Sequence, residues 1–211
     1  MARARAPLLA ISAEHPEPHR IRQAVARLKD EEAVVYPTDT IYGLAVDLES
    51  RGGVDRLYSL RRLDPRKPLS VVCGSLSEAS RYAVLDNDCY RFMRRVLPGP
   101  YTFVLRATRE VPRTGDQRRR AVGIRIPAHP VALALVAELG RPLLSTSAIL
   151  DTEDGEGRVS DPVALAERYG DGVALVLDAG ILEGTPSSVV DWTEDGPRVL
   201  RVGAGDVSEL L

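Results

Sequence analysis

Only two cysteines, Cys73 and Cys89, occur in 211 residues, too few for a disulfide framework or a cysteine-built zinc site. The three histidines, His15, His19 and His129, form no ligand cluster and lie outside every hydroxyl-rich segment, so the chemistry is expected to run without a histidine base. No apolar run approaches the roughly 18 residues of a bilayer-spanning helix. The opening MARARAPLLAIS is basic and then apolar, but Glu14, His15 and Pro16 cut it short, so it does not read as a signal peptide. A cytoplasmic protein with no membrane contact is the expectation. With 17 glycines and 15 prolines, the chain is also far from a fibrous or disordered composition. Repeats, low-complexity tracts and long linkers are missing, so one domain over residues 1–211 is expected.

Lysine is nearly absent as well: Lys29 and Lys67 stand against 26 arginines. Arginine suits planar, bidentate recognition of phosphate and carboxylate, although the base composition of a genome can produce the same bias. Position says more than composition. The net charge of −2 divides into +10 between Arg51 and Pro130 and −12 over the rest of the chain. The middle of the chain is therefore expected to face an anionic partner.

Apolar spacing through Ile21, Ala24, Val25 and Leu28 predicts a first helix, and Ala33 to Tyr36 a buried strand stopped by Pro37. Val54, Leu57, Tyr58 and Leu60 predict a helix ending near Asp64-Pro65, followed by a strand at Leu69 to Cys73. A helix over Asp86 to Val96 precedes strands at Tyr101 to Ala107 and Val122 to Ile126, with a basic segment between them. Pro130 opens a helix that Gly140 closes, and Arg141 to Ser145 forms the next strand. Beyond an acidic stretch, Ser160 is placed as the cap of a helix ending at Gly170. Val173 to Leu177, Ser188 to Asp191 and Arg198 to Val202 complete the strands. This interleaving predicts an α/β fold on a twisted mixed sheet flanked by helices, without strict β-α alternation.

Several segments carry candidate chemistry. Tyr36-Pro37-Thr38-Asp39-Thr40-Ile41-Tyr42-Gly43 crowds hydroxyls, a carboxylate and a glycine behind a strand end, where α/β sheets bind ligands; a plain capped turn has the same composition. Pro98-Gly99-Pro100 turns into a strand that presents Thr102. Gly123-Ile124-Arg125-Ile126-Pro127 sets one arginine in an apolar strand, where it needs an anion: a ligand, or one of the chain's own acids. Ser145-Thr146-Ser147 and Thr185-Pro186-Ser187-Ser188 add hydroxyls suited to oxyanion hydrogen bonds. Walker, Rossmann, zinc and G-x-S-x-G patterns are absent. Such a set fits a pocket that acts by positioning and charge stabilisation, as in phosphoryl or nucleotidyl transfer.

In order and spacing, YPTDTIYGL, RRLDPRKPLSVV, PGPYTF, GIRIP, STS, PSSVVD and RVGAGDV resemble the YrdC/YciO family over roughly residues 20–205. The resemblance implies a YrdC-like α/β domain with a positively charged concave surface. It implies synthesis of L-threonylcarbamoyladenylate from threonine, bicarbonate and ATP (with magnesium, and with no permanent cofactor), releasing pyrophosphate. That product serves t6A modification of tRNA. Carried over by position, Thr38, Thr40, Tyr42, Arg125, Thr146 and Ser187 would face the amino acid. Arg61, Lys67, Thr102, Ser145, Ser147 and Arg201 would face the nucleotide. Arg62, Arg66, Arg118, Arg119 and Arg120 would meet tRNA or double-stranded RNA.

The departures from the synthase pattern are specific. Its Lys-x-Arg pair here reads Arg61-Arg62-Leu63, its Ser-x-Asn pair reads Ser147-Ala148-Ile149, and Val72 stands where synthases often have histidine. The pattern looks closest to the YciO branch. Two functions remain open at this point: a threonylcarbamoyladenylate synthase-like nucleotidyltransferase, or an RNA-binding protein whose pocket keeps nucleotide affinity with little or no synthase activity.

Overall fold

A computed structural model describes residues 5–63, 69–111, 121–148 and 160–211. Among these, ten strands form one mixed sheet in the order β1-β8-β2-β3-β7-β4-β6-β5-β9-β10. The strands are β1 (Leu8–Ala10), β2 (Val34–Tyr36), β3 (Gly43–Asp47), β4 (Ser70–Val72), β5 (Tyr101–Arg106), β6 (Ala121–Arg125), β7 (Leu143–Ser147), β8 (Leu175–Asp178), β9 (Ser188–Asp191) and β10 (Arg198–Arg201). Pairs β1/β8, β2/β8, β4/β6 and β5/β9 run parallel, and the other five run antiparallel. The expected single α/β fold on a mixed sheet is what the chain adopts.

The helices end where local chemistry ends them. In α2 (Arg51–Arg61), Ser50 Oγ accepts from Gly53 N, and Arg62 closes the helix in the left-handed region. Asp86 caps α4 (Asn87–Val96), and Pro130 begins α5 (Pro130–Leu139), which Gly140 closes at φ 76°. The cap of α6 (Pro162–Tyr169) is Asp161 rather than Ser160. Ser160 Oγ instead accepts from the Tyr42 amide, 2.9 Å away, so its hydroxyl ties the helix to the start of β3. Three elements have no counterpart in the sequence reading: β1, β3 and the short α3 (Leu76–Tyr82).

Paired residues share a face of the sheet, and the two faces are covered unequally. On one face, α2, α3, α4 and α6 pack against Val35, Leu44, Val71, Phe103, Ile124 and Val190. On the other, α1 (Pro18–Lys29) and α5 cover Val34, Tyr36, Ala45, Val72, Leu143 and Leu177. That cover stops near β7 and β4. Beyond it, among the described residues, the face over β6, β5, β9 and β10 carries no helix. None of the described helices is long and apolar enough to cross a membrane.

Candidate functional site

Small residues line up across the bare half of the sheet. Register runs Ala45–Ser145, Ser145–Ser70, Ser70–Gly123 and Gly123–Val104, so four neighbouring strands present Ser145, Ser70, Gly123 and Val104 in one row. A Cβ at Gly123 would lie 2.8 Å from Ser70 Oγ, so glycine is what keeps this floor low. The floor opens into a pocket of about 340 Å³ whose walls include Arg61, Thr102, Arg125, Ser187 and Arg201. Thr146 and Ser147 line it too, at the C-terminal end of β7. Residues far apart in sequence thus converge because the strand order brings β7, β4, β6, β5 and β9 together.

Arg125, at the end of β6, is held rather than free. Its Nη2 donates to Asp39 Oδ1 at 3.0 Å and to Thr40 Oγ1 at 3.1 Å. Asp39 is fixed in turn, because its Oδ2 accepts from the Ala128 amide at 3.0 Å. The pair is largely desolvated, with 12% of the Arg125 side chain and 9% of the Asp39 side chain exposed. Of the two anions open to Arg125, the chain supplies one itself. Its Nε, however, is buried with no hydrogen-bond partner among the described residues. An orphaned donor on a pocket wall is costly unless something else accepts from it.

The opposite wall is tied differently. Arg201 donates from Nε and Nη2 to the Ser187 carbonyl at 3.0 and 2.7 Å, and from Nη2 to Ser187 Oγ at 3.2 Å. Thr102 Oγ1 lies 2.9 Å from the same Ser187 hydroxyl. These three side chains therefore form one unit across β5, β9 and β10. On the floor, Ser145 Oγ donates to the Leu44 carbonyl at 3.1 Å, so the proton in its 3.0 Å contact with Tyr36 comes from the tyrosine. Burial pushes the Tyr36 hydroxyl above its ordinary pKa, keeping it a donor.

The most conspicuous motif sits behind the pocket. Thr38 Oγ1 donates to the Ile41 carbonyl at 2.6 Å, and Thr38 and Thr40 are both buried. Thr40 reaches the pocket only through Arg125. The expected ligand role for Tyr42 meets a different arrangement: fully buried, its hydroxyl donates to the Gly180 carbonyl and accepts from the Ala179 amide. It anchors the segment leading to Ser187 and does not line the pocket. Arg62 is exposed and sits on a separate pocket of 280 Å³ with Arg168 and Tyr169. Lys67, Arg66, Arg118, Arg119, Arg120 and Ile149 lie outside the described residues. Sequence reading passed over Ser70, Gly123 and the holding roles of Tyr36 and Asp39. Only strand register assembles these, and no local pattern encodes it.

Of the departures, Leu63 lines the pocket beside Arg61. Val72 is buried with the α1 and α5 core. His129 caps α5, its Nδ1 accepting from the Val131 amide at 3.3 Å, and burial holds it below the ordinary imidazole pKa against the pull of Asp39.

A half-covered mixed sheet with hydroxyls and arginines on its bare side defines an α/β domain with a polar pocket on one sheet face. Residues 26–203 match the Sua5/YciO/YrdC family model, whose description is telomere recombination, and the chain belongs to that family. It is 38% identical over 202 residues to the uncharacterized protein YciO of Escherichia coli (strain K12), covering 95% of this chain and 97% of that one. The crystal structure of E. coli YciO superposes with a TM-score of 0.90, over 98% of this chain and 100% of that one. A threonylcarbamoyl-AMP synthase of Alkalilimnicola ehrlichii is 34% identical over 159 residues, 75% of this chain and 82% of that one. Sua5 of Pyrococcus abyssi, in a crystal structure with L-threonine, matches at 27% identity and a TM-score of 0.86, over 96% of this chain and 59% of that one.

Proposed function

We propose that the pocket binds ATP and L-threonine and makes L-threonylcarbamoyladenylate, in the cytoplasm and in the service of tRNA modification. The observation that carries this reading is the convergence of Arg61, Arg125 and Arg201 around a floor of Ser70, Gly123 and Ser145. A glycine-and-serine floor lets a ligand approach the sheet closely, and three guanidiniums on separate elements suit a ligand with several anionic groups. The threonine-bound relative of the same fold supports an amino acid as one of the two substrates.

In this reading the threonine amine adds to bicarbonate, giving a carbamate with loss of water. A carbamate oxygen attacks the α-phosphorus of ATP, the bond to the β-phosphate bridging oxygen breaks, and pyrophosphate leaves. Arg125 receives the threonine carboxylate, while Arg61, Thr102 and Arg201 surround the phosphates. Pre-set donors of this kind act where charge develops and need no reorganisation during the step. Among the described residues no group of three acidic, histidine or cysteine side chains could hold a metal. Magnesium in this reading arrives on the ATP phosphates, where it would neutralise developing charge. The test is threonine-dependent release of pyrophosphate from ATP by the purified chain, with bicarbonate present.

One observation favours a second reading. Leu63 puts an apolar side chain on the wall where synthases carry a guanidinium. A pocket so altered fits a YciO-type protein that binds tRNA or double-stranded RNA and whose pocket keeps nucleotide affinity with little or no synthase activity. ATP binding without threonine-dependent pyrophosphate would select this reading.

A further inference from the structure

We propose that Asp39 decides which anion Arg125 accepts, making that end of the pocket a receptor for one carboxylate and closed to phosphate. The proposal rests on the reading of the pocket as a threonine and ATP site, and it assigns a specificity role to a residue that does not line the pocket.

The geometry sets Arg125 in one pose. Both hydrogens of Nη2 are engaged, one with Asp39 and one with Thr40, and the Ala128 amide locks the Asp39 carboxylate from behind. Of the three other N–H groups, two are on Nη1 and the third, on Nε, is buried with no partner among the described residues, so the guanidinium is fixed and largely desolvated with donor capacity still to offer. Charge completes the case. Asp39 offsets the charge of Arg125 at 3.0 Å, and of the titratable groups beside the pair burial favours neutral His129 and neutral Tyr36, which leaves the uncompensated positive charge of the pocket to its other walls. A neutral corner with an oriented donor accepts a single carboxylate, whose second oxygen can turn to solvent. A polyphosphate brought there would meet the Asp39 carboxylate at short range in a poorly screened site. Threonine and pyrophosphate would otherwise compete for the same guanidinium, and the product would block the substrate.

The test measures L-threonine and inorganic pyrophosphate binding separately by calorimetry, on the full chain. Asp39→Asn removes the charge and keeps a single acceptor, which can serve the Ala128 amide only by turning the NH2 toward Arg125 Nη2, so the guanidinium loses the pose that suits a carboxylate. It is expected to weaken threonine by about tenfold and to tighten pyrophosphate by about tenfold. A purely structural role for Asp39 would weaken both together, and that result overturns the proposal. Asp39→Glu keeps the charge but moves the carboxylate by one methylene. It is expected to weaken threonine while leaving pyrophosphate within about twofold of the unmodified chain. If Asp39→Asn fails to fold, Asp39→Glu decides: tightened pyrophosphate, or unchanged threonine, overturns the proposal. An unmodified chain that binds both ligands with a ratio neither variant moves removes the proposal alone. One that binds neither removes the functional reading and the proposal with it.

Discussion

The hydroxyl of Tyr36 lies 3.0 Å from Ser145 Oγ and donates to it, joining the end of β2 to the pocket floor two strands away. Gly43 lies between them in the sheet, and a Cβ there would sit 2.6 Å from the tyrosine ring. The tyrosine therefore reaches Ser145 only because residue 43 has no side chain. This bond and the one to the Leu44 carbonyl fix the Ser145 hydroxyl at the pocket floor. Tyr36→Phe removes the donor without changing the volume much. The expected cost is about 1 kcal/mol of stability, the usual worth of one buried hydrogen bond, read from urea unfolding. Affinity for ATP should fall several-fold in parallel, because Ser145 is then free to rotate.

Gly123 offers a sharper probe of the floor. A methyl group at this position meets Ser70 Oγ at 2.8 Å and Ser70 Cα at 3.3 Å, and it rises into the cavity. Gly123→Ala is expected to cost roughly 1–3 kcal/mol through overpacking. Gly123→Val should abolish ATP binding at a temperature where the variant is still folded. Nucleotide binding that survives Gly123→Val would place the ligand elsewhere on the sheet.

Acid stability should carry the mark of His129. Burial lowers its pKa in the folded chain, and neutral Nδ1 is the acceptor that caps α5. The unfolded chain, with an ordinary value of about 6.5, binds the proton more readily. The contribution of this residue is therefore complete above about pH 6.5 and is lost as pH falls through the lower folded value. His129→Asn keeps a capping acceptor that does not titrate. Its melting temperature should fall less between about pH 7.5 and about pH 5 than that of the unmodified chain. Equal falls would show that His129 does not contribute.

How much of this was legible before the fold is best seen from single residues. Pro130 and Gly140 mark both ends of α5 because their backbone preferences are local. Val34 to Tyr36 and Tyr101 to Arg106 are visible as strands for the same reason: burial leaves an apolar run. The β3 strand was hidden, because Gly43 and Ala45 are small where the sheet needs room and so resemble a turn. The site divides in the same way. Arg125, Thr102, Ser145, Ser187 and Arg201 announce themselves chemically and do meet at one pocket. Tyr42 and Thr38 announce themselves equally well and do not: both are buried behind the pocket with their hydroxyls donating to backbone carbonyls. Composition cannot tell a hydroxyl that holds a loop from one that lines a pocket; the position of its strand or turn in the fold decides. Ser70 and Gly123 gave no signal, because their role comes entirely from being opposite each other in register.

Leu63 provides the test that joins the sequence departures to the pocket. It follows the left-handed Arg62 that ends α2 and lines the cavity next to Arg61, so the wall there is half charged and half apolar. It is also partly buried against the larger core cluster, so its removal has a structural cost. An arginine at this position has a stem long enough to keep some of that contact while its guanidinium reaches the cavity. There it would add a bidentate donor for a polyphosphate. Leu63→Arg is expected to raise threonine-dependent pyrophosphate release at least about tenfold, equivalent to about 1.4 kcal/mol of barrier. The gain should appear in kcat/KM for ATP, with threonine affinity little changed, because Arg125 stands on a different strand from this helix end. A melting curve run beside the assay separates the outcomes. A folded variant with no more activity means that the missing guanidinium is not what limits turnover, and the second reading of the pocket, binding without synthesis, then stands.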